Sequence, residues 1–274
     1  MLSLNYMDVL KRNHVKVFGK GQQAMVFSHG FGCDQNMWRF ITPAFLTKYK
    51  IVLFDHVGAG SSDVSAYDKE KYSTLHGYAE DILQIYRELD ITDSVFVGHS
   101  VGAMMGVLSS IKEPERFKKL ILIGPSPCYI NDEKYTGGFE YADIQSMLTF
   151  METDYVGWAF AFAPIIMGNS NEPSLGEELA MSFCNTDFEI ARHFAQVTFL
   201  SDNRLDLPLL TTHSLIMQCA EDTIAPSEVG EYLHHTIRNS TLVHLKAKGH
   251  CPNLSAPMET IETMEWYLTQ SKCA

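Results

Sequence analysis

Val95-Phe96-Val97-Gly98-His99-Ser100-Val101-Gly102 decides how the rest of the chain is read. The first three residues have the apolar, β-branched character of a short strand. Residues 101–111 are small or apolar, as expected of a helix buried against a sheet. The motif between them is G-x-S-x-G, a pattern that carries weight only in a strand–turn–helix setting. A serine on so sharp a turn takes a strained backbone conformation, and glycines on either side let strand and helix approach each other. The Ser100 hydroxyl then projects beyond the carboxyl ends of the strands.

Outward from this turn, similar apolar runs recur at residues 15–18, 24–28, 50–54 and 120–123, and again at 214–217 and 241–245. Runs without alternation are what strands buried on both faces look like. Helical spacing fills the gaps: Tyr78, Ile82, Ile85, Tyr86 and Leu89 share a face within residues 75–89. Strands alternating with helices predict an α/β fold with a mostly parallel central sheet. The pattern breaks after Pro127. Residues 139–151, 155–167, 174–183 and 188–199 read as four helices without a convincing strand, with Pro164 expected to kink or end the second. A last helix fits 261–268. The predicted organisation is a core domain in two parts, residues 1–130 and 208–274, interrupted by a helical lid over 131–207.

A serine hydroxyl needs a base to become a nucleophile. Of the 11 histidines, His250 is the candidate, in Gly249-His250-Cys251-Pro252 after the last strand run. His99, inside the turn itself, reads as structural. The imidazole in turn needs a carboxylate to fix its tautomer. Asp222 follows the 214–217 run, with its neighbour Glu221 as rival. An acyl-transfer oxyanion needs backbone N–H donors. Val101, next after the serine, would supply one, and Phe31 of His29-Gly30-Phe31-Gly32 the other.

Composition bounds the alternatives. A formal net charge of -12 over 274 residues argues against nucleic acid as a partner, since phosphate binding needs clustered Lys and Arg. Cys33, Cys128, Cys184, Cys219, Cys251 and Cys273 are scattered without a C-x-x-C pair, so no metal site or redox motif is indicated, and they read as reduced thiols. The first eight residues lack a basic start and an apolar stretch of signal-peptide length, and no run is long enough to span a bilayer, which points to a cytoplasmic protein off the membrane. A monomer is expected.

With these motifs in place, the chain resembles serine hydrolases of the α/β-hydrolase fold, whose chain order is Ser, Asp, His. Alignment with them favours Asp222 over Glu221. Within that fold, Gly30-Phe31-Gly32-Cys33-Asp34-Gln35, Ser126-Pro127-Cys128-Tyr129-Ile130-Asn131-Asp132, Gly137-Gly138-Phe139-Glu140 and the His250 segment resemble the bacterial sigma-B energy-stress regulatory hydrolases (RsbQ-like) and, more distantly, the plant karrikin and strigolactone receptors. The resemblance implies a V-shaped four-helix lid, inserted after the sixth strand, over a closed apolar pocket. By position, Phe31, Phe139, Met147, Trp158, Phe162 and Phe199 would line it. It also implies slow hydrolysis of a small apolar ester or lactone without a cofactor, and signalling through a protein partner such as a PAS-containing serine phosphatase. A nucleophile of the Asp type, as in dehalogenases, is excluded by Ser100. Carbon–carbon bond hydrolysis would need polar groups to hold a substrate carboxylate, which the expected aromatic pocket does not offer.

Overall fold

A computed structural model describes residues 8–270. Cys273 and most of the N-terminal segment considered above lie outside the described residues. The chain opens with a short helix α1 (Val9–Arg12), then strands β1 (Lys16–Phe18), β2 (Ala24–Ser28) and β3 (Lys50–Leu53), helix α2 (Leu75–Glu88), strand β4 (Ser94–His99), helix α3 (Val101–Lys112) and strand β5 (Phe117–Ile123). Four helices follow: α4 (Tyr141–Thr153), α5 (Tyr155–Met167), α6 (Pro173–Cys184) and α7 (Phe188–Phe199). Strand β6 (His213–Glu221), α8 (Ser227–Thr236), β7 (Ser240–Lys248), α9 (Pro252–Ser255) and α10 (Pro257–Thr269) complete the described chain.

The sheet order is β1-β3-β2-β4-β5-β6-β7. Only the β1–β3 pair is antiparallel. The unalternating apolar runs are explained by burial on both faces. Met25, Phe27, Ile121 and Ile123 join a cluster with Met264 of α10 and with Ile144 and Leu179 of the insertion. Their neighbours Val26, Leu120 and Leu122 pack against Ile82 of α2, Met104 of α3 and Val229 of α8. Side chains in a strand point alternately to opposite faces, so adjacent residues serve different layers.

Two expectations need correction. The insertion follows the fifth strand, not the sixth: ahead of β1 the described chain forms α1 rather than a further edge strand. Pro164 does not end α5, which runs on to Met167 and closes on Gly168 at φ 62°. The proline stands in the last turn, where it removes a single N–H bond. Gly176 of α6 packs against it so closely that a Cβ there would lie 3.1 Å from the Pro164 Cα. No described helix is long and apolar enough to cross a membrane.

Candidate active site

Ser100 stands on the turn between β4 and α3 with φ 55° and ψ −127°, a conformation rarely tolerated outside glycine. Strain of this kind costs on the order of 1–3 kcal/mol and persists only where the surroundings enforce it. Here they do. A Cβ on Gly98 would lie 2.5 Å from the Ala103 Cα, and one on Gly102 would lie 2.4 Å from the His29 carbonyl oxygen. The two glycines of the motif are therefore where the backbone of α3 meets β4 and the end of β2.

His250 reaches Ser100 from the loop after β7, its Nε2 2.7 Å from the serine Oγ. Its Nδ1 lies 2.8 Å from Oδ2 of Asp222, on the loop after β6. A carboxylate oxygen only accepts, so Nδ1 carries the proton, Nε2 is the free acceptor, and the Ser100 hydroxyl donates to it. The other Asp222 oxygen accepts the N–H groups of Ile224 and Ala225 at 2.8 and 3.0 Å. Burial works to raise this carboxyl. The charge and hydrogen bond of His250, with the two N–H groups, outweigh it and hold Asp222 below its ordinary value. Glu221, the rival, is exposed and pairs with Lys248 at 2.6 Å.

The main chain around the base is held as firmly as its ring. The His250 N–H donates to the Ile166 carbonyl of α5 at 2.8 Å. Its own carbonyl accepts from His99 Nε2, also at 2.8 Å. His99 thus supports the histidine loop without touching Ser100 by hydrogen bond. Burial and the neighbouring His250 push His99 down to about 3, so it stays neutral. Cys251 is equally inert: burial pushes its thiol well above the ordinary value.

The His29–Gly32 loop approaches the serine closely enough that a Cβ on Gly30 would lie 3.3 Å from the Ser100 Cβ. Neither the Phe31 nor the Val101 N–H has an acceptor among the described residues. The loop is tied down from behind. The His29 Nε2 accepts the His56 N–H at 3.0 Å, and Asp55 Oδ1 accepts the Gln35 N–H at 2.9 Å. Sequence reasoning missed Asp55 and His56, though both stand at the carboxyl end of a predicted strand run, where site residues were expected.

A cavity of about 30 Å³ adjoins Ser100 and His250. Its walls include Phe31, Tyr129, Leu179, Phe183, Thr198 and Phe199. Of the predicted pocket residues, Phe31 and Phe199 stand on this wall. Phe139, Met147, Trp158 and Phe162 lie behind it in the packed cluster. Trp158 stacks on Phe162 at 5.7 Å and meets the edge of Phe31 at 6.2 Å, while Phe139 meets Phe199 at 6.5 Å. Trp158 and Phe139 thus back the wall rings Phe31 and Phe199 rather than facing the cavity themselves, and helical spacing alone does not reveal which ring stands in front.

Comparison with known proteins identifies the family of the fold. The family described as alpha/beta hydrolase fold matches residues 23–257. The chain is 40% identical over 253 residues to a strigolactone esterase, D14, from Arabidopsis thaliana, and 38% identical over the same length to a karrikin insensitive 2 receptor, CA, from Petunia hybrida. Each alignment covers 92% of this chain and 94% of the relative. Among solved structures, a hydrolase from Oleispira antarctica superposes with a TM-score of 0.94 at 38% identity, covering 96% of this chain and 97% of that one. A strained serine between strand and helix, sequence agreement along nearly the whole length and a near-coincident solved fold lead to one assignment: the chain belongs to the alpha/beta hydrolase fold family, with strong homology to the plant karrikin and strigolactone receptors.

Proposed function

We propose that the protein is a serine hydrolase that cleaves a small apolar carboxylic ester or lactone through an acyl-Ser100 intermediate. The observation that carries this reading is the continuous hydrogen-bonded line from Ser100 through His250 to Asp222, at 2.7 and 2.8 Å. As Ser100 attacks the substrate carbonyl, Nε2 of His250 takes its proton, and Asp222 stabilises the imidazolium without itself becoming protonated. The tetrahedral oxyanion is met by the N–H groups of Phe31 and Val101. Loss of one such donor in other enzymes raises the barrier by on the order of 3 kcal/mol. His250 then protonates the leaving alcohol as its bond to the acyl carbon breaks; it next takes a proton from water, whose oxygen attacks the acyl carbon, and returns that proton to the Ser100 Oγ as the acid leaves. No cofactor enters this scheme. The test is p-nitrophenyl acetate hydrolysis by wild type and Ser100→Ala. The variant should fold and lose turnover; turnover near the wild-type rate would remove Ser100 from the mechanism.

A second reading, a receptor that binds a ligand and recruits a partner, is favoured by two features. The cavity of about 30 Å³ has room for a water or two, against roughly 300–1,000 Å³ for sites that hold drug-sized ligands. A ligand of that size needs wall side chains or the helices above them to move aside. We assign those helices, within residues 131–207, as a lid between the core parts at 1–130 and 208–274. The bond from the His250 N–H to Ile166 ties the base to this lid, so movement of one is felt by the other. Slow turnover coupled to lid movement suits a signalling hydrolase. The Ser126–Asp132 and Gly137–Glu140 segments favour the RsbQ-like bacterial type, with a role in stress signalling through a PAS-containing serine phosphatase. We further assign the protein as a cytoplasmic monomer. Co-purification with such a phosphatase, abolished by substitutions on the outer lid face, would support this role; fast turnover after the burst, with no partner, would favour a metabolic esterase.

A further inference from the structure

Two hydroxyls beside Ser100 are buried without a hydrogen-bond partner. Tyr129, on the loop after β5, and Thr198, in the last turn of α7, are each 1% exposed. The Thr198 Oγ1 meets no donor or acceptor among the described residues, and the Tyr129 Oη has no partner in hydrogen-bond geometry, with only the Ser100 hydroxyl beside it. Both residues line the cavity that holds Ser100 and His250. The Tyr129 ring packs on Phe199 with centroids 5.1 Å apart, so the loop and the end of α7 meet at this wall.

Thr198 breaks a local rule. Hydroxyls within helices commonly turn back to the carbonyl four residues earlier. Thr149, Thr236, Thr260 and Thr263 all do so here, but Thr198 leaves the Phe194 carbonyl alone. Other buried polar atoms without partners, such as Trp38 Nε1 and Tyr267 Oη, belong to residues away from this cavity. The third such atom on its wall, His99 Nδ1, is closed off by Gly30, where even a Cβ would come within 2.6 Å. Burying a hydroxyl without a partner is destabilising, and Phe at 129 or Val at 198 would fill the same space without that penalty.

We propose that Tyr129 and Thr198 form a specificity site for an oxygen of the substrate other than its scissile carbonyl, so that the preferred ligand is an ester or lactone carrying a second hydrogen-bond acceptor. This rests on the serine hydrolase reading above. Burial pushes the Tyr129 phenol up to about 12, the Ser100 hydroxyl pulling partly the other way, so at neutral pH it stays protonated and donates. Apart from Ser100, His250 and His99, the remaining wall, including Phe31, Leu179 and Phe183, carries only apolar and cysteine side chains. A wholly hydrocarbon acyl group would leave both hydroxyls unpaired, and a site built around polar groups discriminates against analogues that leave them so.

The test uses matched p-nitrophenyl esters, butyrate against methoxyacetate and pentanoate against 4-oxopentanoate, on wild type, Tyr129→Phe, Thr198→Val and the double variant. Comparing each pair's kcat/KM ratio between wild type and variant cancels the esters' intrinsic reactivities. The oxygen-to-hydrocarbon ratio should fall about tenfold in the double variant for at least one pair. Each single variant should raise the unliganded melting midpoint by about 2 °C, where a structural hydroxyl would lower it. Unchanged ratios in both pairs, with the burst from Ser100 intact, would overturn the proposal and leave the hydroxyls a packing or water-holding role. Failure of the hydrolase reading looks different: no burst from any ester with folded protein. Binding of methyl methoxyacetate against methyl butyrate, followed by tryptophan fluorescence, then decides. A wild-type preference lost in the double variant supports the site, and no preference overturns it.

Discussion

The sheet and the four inserted helices contribute to the site in different ways. Every group of the proposed mechanism comes from the end of a strand: Ser100 after β4, Asp222 after β6, His250 after β7, and the Phe31 loop after β2. The helices supply walls, including Leu179 and Phe183 from α6 and Thr198 and Phe199 from α7. Their polar ties to the loops of the site come from α5 and α6: the Ile166 carbonyl accepts the His250 N–H at 2.8 Å, and the Ser182 hydroxyl donates to the Gly32 carbonyl at 2.7 Å. Strand ends in a parallel sheet are fixed by hydrogen-bonded register, so they hold the groups beyond them in place. Helices packed mainly through side chains are freer to shift. The difference implies that substitutions at strand ends change the rate of the chemistry, while substitutions in the insertion change which substrate reaches it.

The sharpest way to break this contrast is His250→Ala, which should lower kcat by on the order of 10⁶, as removal of such a base does elsewhere. A loss under a hundredfold in steady-state ester hydrolysis would mean that another group activates Ser100. Asp222→Asn should lower kcat by about 10⁴ by favouring the wrong imidazole tautomer, while Glu221→Gln should leave it within about twofold, since Glu221 pairs only with exposed Lys248. A loss below tenfold at Asp222 would point to another acid.

Third in size is a pH effect on the core. His29, His56 and His99 are fully buried, and burial is the leading cause that lowers all three. Their folded pKa values lie below the unfolded 6.5, so the unfolded chain binds more protons between the two. Stability is then complete above pH 6.5 and falls as pH drops toward each folded value, reaching about 3 for His99. Each such histidine contributes up to about 1.4 kcal/mol per pH unit, a tenfold change in the folding equilibrium. Denaturant midpoints measured from pH 8 to pH 4 should fall below pH 6.5; a flat profile would contradict neutral burial of these rings. The smallest effect belongs to the insertion. Phe183→Leu should raise kcat/KM for p-nitrophenyl octanoate relative to acetate by about fivefold, because it trims the wall rather than the reacting groups. An equal change for both esters would erase the distinction between the two regions.

The same contrast explains what was legible in the sequence. The strand runs, the turn at Ser100 and His250 were readable because each depends on local pattern: apolar runs for two-sided burial, glycines where backbones touch, a histidine just after a strand; between Glu221 and Asp222 local pattern left the choice open, and the resemblance to known hydrolases made it. The helices of the insertion were readable too, 188–199 to the residue, since their periodicity is local. Which of their side chains face the cavity was not. Trp158 and Phe162 bury one another, whereas Leu179, Phe183 and Thr198 reach the wall, and that choice is made by packing between helices distant in sequence. Tyr129 and Thr198 were missed for a related reason: a hydroxyl without a partner is visible only when every neighbour is in place.

The most direct test of the central claim is to quench p-nitrophenyl acetate hydrolysis in acid during the burst and to locate the acyl group by peptide mass spectrometry. The account predicts one acetyl group per chain, on the peptide carrying Ser100, and none in Ser100→Ala. Acetyl carried instead on Cys251 or another residue, or turnover without any trapped acyl-enzyme in wild type and variant alike, would contradict it.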